Sequence, residues 1–430
     1  MADAASRLTS VAEQLLGVPL PVRIRAWDGS QSGPPDAPAL VIRNRRALRR
    51  MLFKPGELGL ARAWVAGDLD VEGDLYAVLD AMAGFVWERD EDARGLAEAL
   101  RDPRVRAAGR ELLRLAGPPV PPAPPREEVR RPRRRLHTRR TDKRAISHHY
   151  DVGNDFYELV LGPSMVYSCA YWEDGGTLET AQRDKLELVC RKLGLAPGLR
   201  LLDVGCGWGS MAVHAAREHG VGVVGVTLSQ EQAAYARKRV ADEGLTDRVE
   251  IRVQDYRDVA DGPFDAISSI GMAEHVGAER YLEYASRLHA LLAPGGRLLN
   301  HQIARRPERE ESEYRTDEFI DAYVFPDGEL APIGTTVTQL ERAGFEVRDV
   351  ESLREHYART LRQWVGNLEA GWDRAARLAG PGRARVWRLY MAACALAFEQ
   401  NRIGVNQVLA VRTPESGRSG LPLRARVWQG

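Results

Sequence analysis

The chain of 430 residues is 44% hydrophobic and 28% charged, the balance of a soluble globular protein with room for two or three domains. No stretch approaches the roughly 20 apolar residues of a membrane span, and Met1-Ala2-Asp3-Ala4 lacks the basic-then-apolar layout of a secretory signal. A net charge of +1 leaves electrostatic function to local patches, and the four cysteines (Cys169, Cys190, Cys206, Cys394) show neither a CxxC pair nor metal-ligand spacing, so a reduced cytoplasm and no metal are expected.

The first elements are short. Val22 to Trp27 alternates before Asp28-Gly29-Ser30, which reads as a strand entering a turn, and Ala39 to Ile42 is a second strand. Residues 57–83 carry apolar positions at helical spacing (Leu60, Ala63, Trp64, then Leu75, Val78, Leu79, Met82), with Gly67-Asp68-Leu69-Asp70 as an interrupting turn. A small α+β domain over 1–116 follows, with no catalytic constellation. A linker over 117–144 comes next. Its Gly117 to Pro125 half is a stiff polyproline spacer, and Arg126 to Arg144 is strongly basic. At about 1 kcal/mol per basic residue near an anionic bilayer, half of these charges would hold the protein there reversibly. The run lacks interleaved aromatics for base stacking, so a membrane surface is expected and nucleic acid is not.

Residues 145–430 form the catalytic part. Ser147 to Tyr157 is dense in polar and aromatic residues and leads into Met165 to Trp172, which suits a loop or short helix closing over a pocket. Leu201-Leu202-Asp203-Val204 then breaks into Gly205-Cys206-Gly207-Trp208-Gly209, a buried strand, a tight turn and a helix start near Ser210. Strands at Val221 to Thr227, Val249 to Val253 and Phe264 to Ile270 alternate with helices. One of these helices starts at a Ser229–Gln232 capping box and runs through Val240. Arg297 to His301 follows a Pro294-Gly295-Gly296 turn. Such alternation implies a parallel sheet covered on both faces, with ligand at the carboxyl ends of the strands. A nicotinamide site would place an acid about 20 residues past the glycine loop. Here the next strand ends in Val226-Thr227-Leu228-Ser229, whereas Asp255 stands where an adenine amine could be bonded. These features favour S-adenosylmethionine and a methyltransferase.

The catalytic part resembles the cyclopropane-fatty-acyl-phospholipid synthases, through HHYDVGNDFYELVLGPSMVYSCAYW (148–172), LLDVGCGWGSM (201–211), GVTLSQEQ (225–232), DYRD (255–258), FDAISSIGMAEHVG (264–277), LLNHQI (298–303), FIDAYVFPDGEL (319–330) and HYARTL (356–361). The segment Gly59 to Leu69 is similar to the accessory domain of the family's long bacterial members. The resemblance implies a class I methyltransferase Rossmann-like α/β sheet with helical insertions, preceded by a small α+β sterol-carrier-like domain. It implies methyl transfer from S-adenosylmethionine to the cis double bond of a phospholipid acyl chain, closure of a cyclopropane ring, and a bound bicarbonate as base. Carried over by motif, the bicarbonate ligands are Cys169, Glu274, His301, the backbone at Ile303, and Tyr357 on a loop; Cys394 matches a position proposed as a nucleophile. The same resemblance assigns the cofactor to Tyr167, Ser168, Asp203, Gly205, Gly207, Trp208, Gly209, Thr227, Leu228, Gln232, Gln254 and Asp255. His275 is expected behind Glu274, and Phe319, Ile320, Tyr323, Phe325, Trp364 and Trp372 as wall of an acyl tunnel. A cytoplasmic protein peripheral to the inner face of the membrane, dimeric like the long members, completes the expectation. Methylene- or methyl-branched products are the alternative outcome. Relatives that make them depart at the positions matching Glu274-His275 and His301, and this chain keeps both histidines. A non-enzymatic lipid carrier would not need the glycine loop together with these polar residues.

Overall fold

The computed structural model describes residues 3–86, 103–129, 152–311, 314–326, 328–423 and 426. The basic run from Arg130 to Arg144 and the segment His148 to Asp151 lie outside the described residues. The chain forms two compact units, one drawn from 1–131, 317–324 and 379–396, the other from 132–316, 325–378 and 397–430. Two pieces of the first unit thus come from the stretch that the sequence assigns to the catalytic part.

In the first unit, Asp3 caps the helix Ala4–Leu16 by accepting from the Ser6 N–H at 2.8 Å, and Gly17 ends it in the left-handed region. Four strands follow: β1 (Arg23–Arg25), β2 (Gln31–Ser32), β3 (Ala39–Ile42) and β4 (Leu69–Glu72), ordered β2-β1-β3-β4. β4 corrects the sequence reading. Only Gly67-Asp68 turns, because Leu69 and Asp70 pair with Ile42 and Val41 of β3. Ala5, Leu8, Ile24, Ile42, Leu48, Ala63 and Leu115 make the core. The later segments are stitched in by polar bonds. Trp64 Nε1 donates to the Arg385 carbonyl at 2.8 Å, Arg385 Nε donates back to the Trp64 carbonyl at 2.6 Å, and the guanidinium lies 4.5 Å from the indole centroid. Arg62 forks Glu128 at 2.7 and 2.6 Å, and the Tyr323 hydroxyl donates to the same carboxylate at 2.9 Å. Phe319 and Tyr323, two of the expected tunnel aromatics, are buried in this unit.

The second unit is built on an eight-stranded sheet of β5 (Arg200–Val204), β6 (Gly222–Thr227), β7 (Val249–Val253), β8 (Phe264–Ile270), β9 (Leu292–Arg305), β10 (Ala331–Pro332), β11 (Glu346–Ser352) and β12 (Ile403–Val411). The order is β11-β12-β9-β8-β5-β6-β7, with β10 beside β9. Strands β5 to β9 run parallel, while β12 is antiparallel to β9 and to β11. Helices cover both faces. Leu201 packs with Ala212 and Val213 of the helix Ser210–His219, and the next residue, Leu202, packs with Tyr284 and Leu288 of the helix Tyr281–Leu291 on the opposite side. Each such buried side chain contributes about 1.5–3 kcal/mol, and feeding two cores is what makes β5 a continuous apolar run.

β9 also differs from expectation. The predicted turn at Pro294-Gly295-Gly296 lies inside the strand, because the Gly295 N–H donates to the Arg412 carbonyl and the Arg412 N–H to the Gly296 carbonyl. From β5 the chain lays β6 and β7 on one side, then returns to place β8 on the other. That reversal opens a crevice at the carboxyl end of β5.

Candidate active site

The crevice holds a cavity, and the predicted cofactor residues surround it. Tyr167, Ser168, Asp203, Gly205, Gly207, Trp208, Thr227, Leu228, Gln232, Gln254 and Asp255 all line it. The loop after β5 is held by two bonds, from the N–H groups of Gly205 and Cys206 to the Val226 carbonyl at 2.9 and 3.0 Å. Gly205 and Gly207 have φ of +76° and +54°, which glycine adopts without strain. Gly209 is different. It is absent from the lining, and a Cβ there would stand 3.0 Å from Ala236 Cβ, so this glycine lets the helices Ser210–His219 and Gln230–Asp242 approach. The expected capping box is half formed. Ser229 Oγ accepts from the Gln232 N–H at 3.2 Å, but the Gln232 amide oxygen instead accepts from Thr227 Oγ1 at 2.8 Å. Asp255 is forked by Arg257 at 2.8 and 2.6 Å and caps the turn that carries Tyr256.

Two buried charges form the floor. Asp203 Oδ1 accepts from Ser268 Oγ at 2.7 Å, and Oδ2 is buried without a partner among the described residues. Burial pushes this carboxyl up to about 6, against the Ser268 bond and the Lys185 charge. Lys185 also lines the cavity and donates to Ser168 Oγ at 3.0 Å; burial pushes it down to about 8. An acceptor oxygen buried in a cavity fits the cationic amino group of an amino-acid ligand. Asp255 and the neighbouring Gln254 fit an adenine edge. S-adenosylmethionine carries both.

The second set of predicted residues lies one position beyond this lining. Cys169 follows Ser168, Glu274 precedes His275, and His275 itself lines the cavity with its ring 5.6 Å from Phe325. The Leu353 carbonyl gathers two of them: Cys169 Sγ lies 3.6 Å from it, and the Tyr357 N–H donates to it at 3.1 Å. The Leu353 N–H in turn donates to the Val405 carbonyl, and Val405 pairs with Ile303 on β9. Glu274 Oε1 accepts from the Ile303 N–H at 2.8 Å, and the Gly271 N–H donates to the His301 carbonyl at 2.8 Å. Bonds made to backbone groups therefore link four distant segments. Tyr357 sits on the helix Arg354–Ala370, not on the expected loop, with its ring 4.8 Å from Phe398. Cys394 belongs to the first unit, half-buried on the helix Pro381–Glu399.

Within this set two polar atoms are buried without a partner among the described residues, Glu274 Oε2 and His301 Nε2. Burial pushes the Glu274 carboxyl up to about 7, opposed by the Ile303 bond. His301 is held well below its ordinary value by burial and by the Lys185 and Lys192 charges. Burial likewise raises the Cys169 thiol, so it stays an S–H. A neutral imidazole, a carboxyl poised near neutrality and a nearby ammonium fit a small oxyanion that both gives and takes a hydrogen bond. Bicarbonate is such an ion. Cys190, His214 and His219 also converge, with ligand atoms within 4.8 Å of one another, despite their scattered spacing. Glu187 Oε2 meets both imidazoles, at 3.3 and 3.0 Å, which satisfies them without an ion.

Sequence reasoning missed Lys185 and Lys192. The signal was present: both fall on the buried stripe of the helix Leu178–Leu193, with Ala181, Leu188 and Val189.

The largely parallel sheet with one antiparallel strand, β12, next to its edge, the glycine loop at its switch point and this cavity define a class I S-adenosylmethionine-dependent methyltransferase. The chain belongs to the mycolic acid cyclopropane synthetase family, whose sequence profile matches residues 137–408. It is 46% identical over 415 residues to a probable fatty acid methyltransferase of Mycobacterium tuberculosis, covering 94% of each chain. It is 40% identical over 269 residues to the cyclopropane-fatty-acyl-phospholipid synthase of Escherichia coli K12, covering 63% of this chain and 68% of that one. The crystal structure of mycolic acid cyclopropane synthase CmaA1 complexed with SAH and CTAB superposes with a TM-score of 0.59 at 36% identity, covering 63% of this chain and 98% of the other. Among the described residues, no helix is long and apolar enough to cross a membrane.

Proposed function

We propose that the protein converts the cis double bond of unsaturated phospholipid acyl chains into a cyclopropane ring. The observation that carries this reading is two buried polar atoms without a partner among the described residues, Glu274 Oε2 and His301 Nε2, on the sequence neighbour of His275 and the strand partner of Ile270, both of which line the cavity. Attack of the alkene on the donor methyl would form one C–C bond as the S–CH3 bond breaks, its electron pair leaving with S-adenosylhomocysteine, and would leave a carbocation on the acyl chain. Loss of a proton from the new methyl then closes the ring. A carbocation survives only where water is excluded, and Cys169, His301 and Tyr357 are each buried. Glu274 and His301 would hold bicarbonate, with Cys169 and Tyr357 flanking it. When bound there, the ion supplies a proton acceptor in a site whose own imidazole is hydrogen-bonded on one side. The phospholipid substrate is supported by the likeness to the E. coli synthase, and attraction to an anionic inner membrane face by the basic run before residue 145. A homodimer is part of the same proposal. The second reading, a methylene- or methyl-branched product, is favoured by the 46% identical fatty acid methyltransferase, which aligns over both units.

Expression in a host with unsaturated phospholipids and no cyclopropanating enzyme tests both. Mass spectrometry should show an added CH2 on the acyl chains, and proton NMR should show upfield ring protons. Exomethylene signals or a branched methyl doublet would replace the first reading by the second. Unchanged lipids would remove both.

A further inference from the structure

Three side chains align across three adjacent strands: Glu351 on β11, Gln407 on β12 and His301 on β9 are register partners in turn. All three are buried, and Lys192 reaches them from the helix Leu178–Leu193 with no exposed surface. Lys192 Nζ contacts the Glu351 carboxylate, lies 3.8 Å from Asp349 Oδ2, and donates to the Gln407 amide at 2.8 Å. An ammonium has only hydrogens to give, so the Gln407 atom facing it must be the amide oxygen. The other end of that amide is then its NH2 group, and it lies 3.3 Å from His301 Nδ1. Nδ1 is therefore the acceptor. A neutral imidazole carries one N–H, which leaves it on Nε2, a buried atom with no partner among the described residues.

We infer that Gln407 is a positioning residue, oriented by Lys192, that fixes His301 as its Nε2–H tautomer and so makes it a hydrogen-bond donor to the ligand. The inference rests on reading His301 as part of the reaction site. Its consequence is that His301 takes no proton in the reaction. It presents an N–H to an acceptor oxygen, while the unpartnered Glu274 Oε2 offers the complementary acceptor. The groups around the imidazole agree: Lys185 and Lys192 both disfavour a second proton on it, and the Cys169 thiol is neutral. The negative charges of Glu351 and Asp349 face Lys192 rather than the ring.

The test uses the full chain with 15N-labelled histidine, the His301 signals being assigned by their loss in His301→Gln. Ligand-free protein at pH 7 should show Nε2 at a protonated shift and Nδ1 at an unprotonated one, with no change down to pH 6. Gln407→Glu has the same shape but offers only acceptors, so it should move the proton to Nδ1 or add a second one. Its S-adenosylmethionine affinity should stay within twofold of wild type, and its turnover should fall at least tenfold. Gln407→Leu, which removes the acceptor and the donor together, should give a mixture of tautomers and an intermediate loss. A wild-type His301 protonated on Nδ1, or charged at pH 7, would overturn the relay. Retained turnover in Gln407→Glu despite a switched tautomer would instead overturn the role of His301 in the reaction.

Discussion

Replacing Lys185 by methionine should stabilise the protein at neutral pH. Lys185 is 1% exposed and held at about 8 rather than 10.5, chiefly by burial. That gap of 2.5, at 1.36 kcal/mol each, makes its charge cost the folded state about 3 kcal/mol. Methionine keeps the length of the side chain and loses the bond to Ser168 Oγ, worth about 1 kcal/mol. The net gain at pH 7 is therefore about 2 kcal/mol. The sign of the pH dependence follows from linkage. Between pH 8 and 10.5 the unfolded chain binds more protons at this site than the folded one, so wild-type stability rises with pH through that window. Below pH 8 both states carry the proton and the cost is constant. At pH 10 less than about 1 kcal/mol of it remains, and the two proteins should unfold together. Calorimetry of wild type and Lys185→Met at pH 7 and pH 10 measures this, with the pH 7 midpoint of the variant a few degrees higher. A variant less stable than wild type at pH 7, or a gap that does not close by pH 10, would refute a net electrostatic cost. A lysine kept at such a cost is kept for the cavity it lines.

Glu274→Gln should bind S-adenosylmethionine within twofold of wild type by calorimetric titration and lose at least 100-fold in turnover; full activity would remove Glu274 from the chemistry. Because the carboxyl is held at about 7, above its usual 4.5, the folded state binds the extra proton between those values, so the stability of wild type relative to Glu274→Gln should fall as pH rises through that window. Gly207→Ala should weaken cofactor binding, since its Cβ meets no protein atom within 4 Å at a position that lines the cavity. Gly209→Ala should instead cost about 1–3 kcal/mol of stability, read as a lowered unfolding midpoint, because φ is +81° and Ala236 blocks the added methyl. Trp64→Ala should cost the first unit about 3–5 kcal/mol in chemical denaturation, with the loss of the Arg385 contacts included.

What the sequence disclosed depended on range. The parallel strands β5 to β8 were legible because β5 and β6 are short apolar runs and β7 alternates apolar with charged residues, patterns that are local. The crevice was legible because the glycine loop stands at the carboxyl end of β5 and Asp255 just past β7. β4 was misread because Leu69 and Asp70 carry turn-forming neighbours, and only pairing with β3 makes them a strand. The packing role of Gly209 was not legible, because a glycine that admits a ligand and one that admits a helix look alike until Ala236 is in place. The first unit's use of 317–324 and 379–396 leaves no local mark, since the bonds that hold Trp64 to Arg385 span 321 residues.

The relay behind His301 is the clearest case of information that only tertiary structure carries. Gln407 and Glu351 leave no mark in the sequence, Lys192 marks only a buried helix position, and the two key bonds span 215 and 106 residues. Yet once β11, β12 and β9 are in register, no freedom remains: an ammonium can only donate, an amide has one oxygen, and an imidazole with a donor at Nδ1 must keep its hydrogen on Nε2. The antiparallel strand β12, set between β11 and β9, thus does more than extend the sheet. It brings to the reaction site the one residue that decides what His301 can offer, and the extra strand pair that distinguishes this sheet from a purely parallel one is where that decision is made.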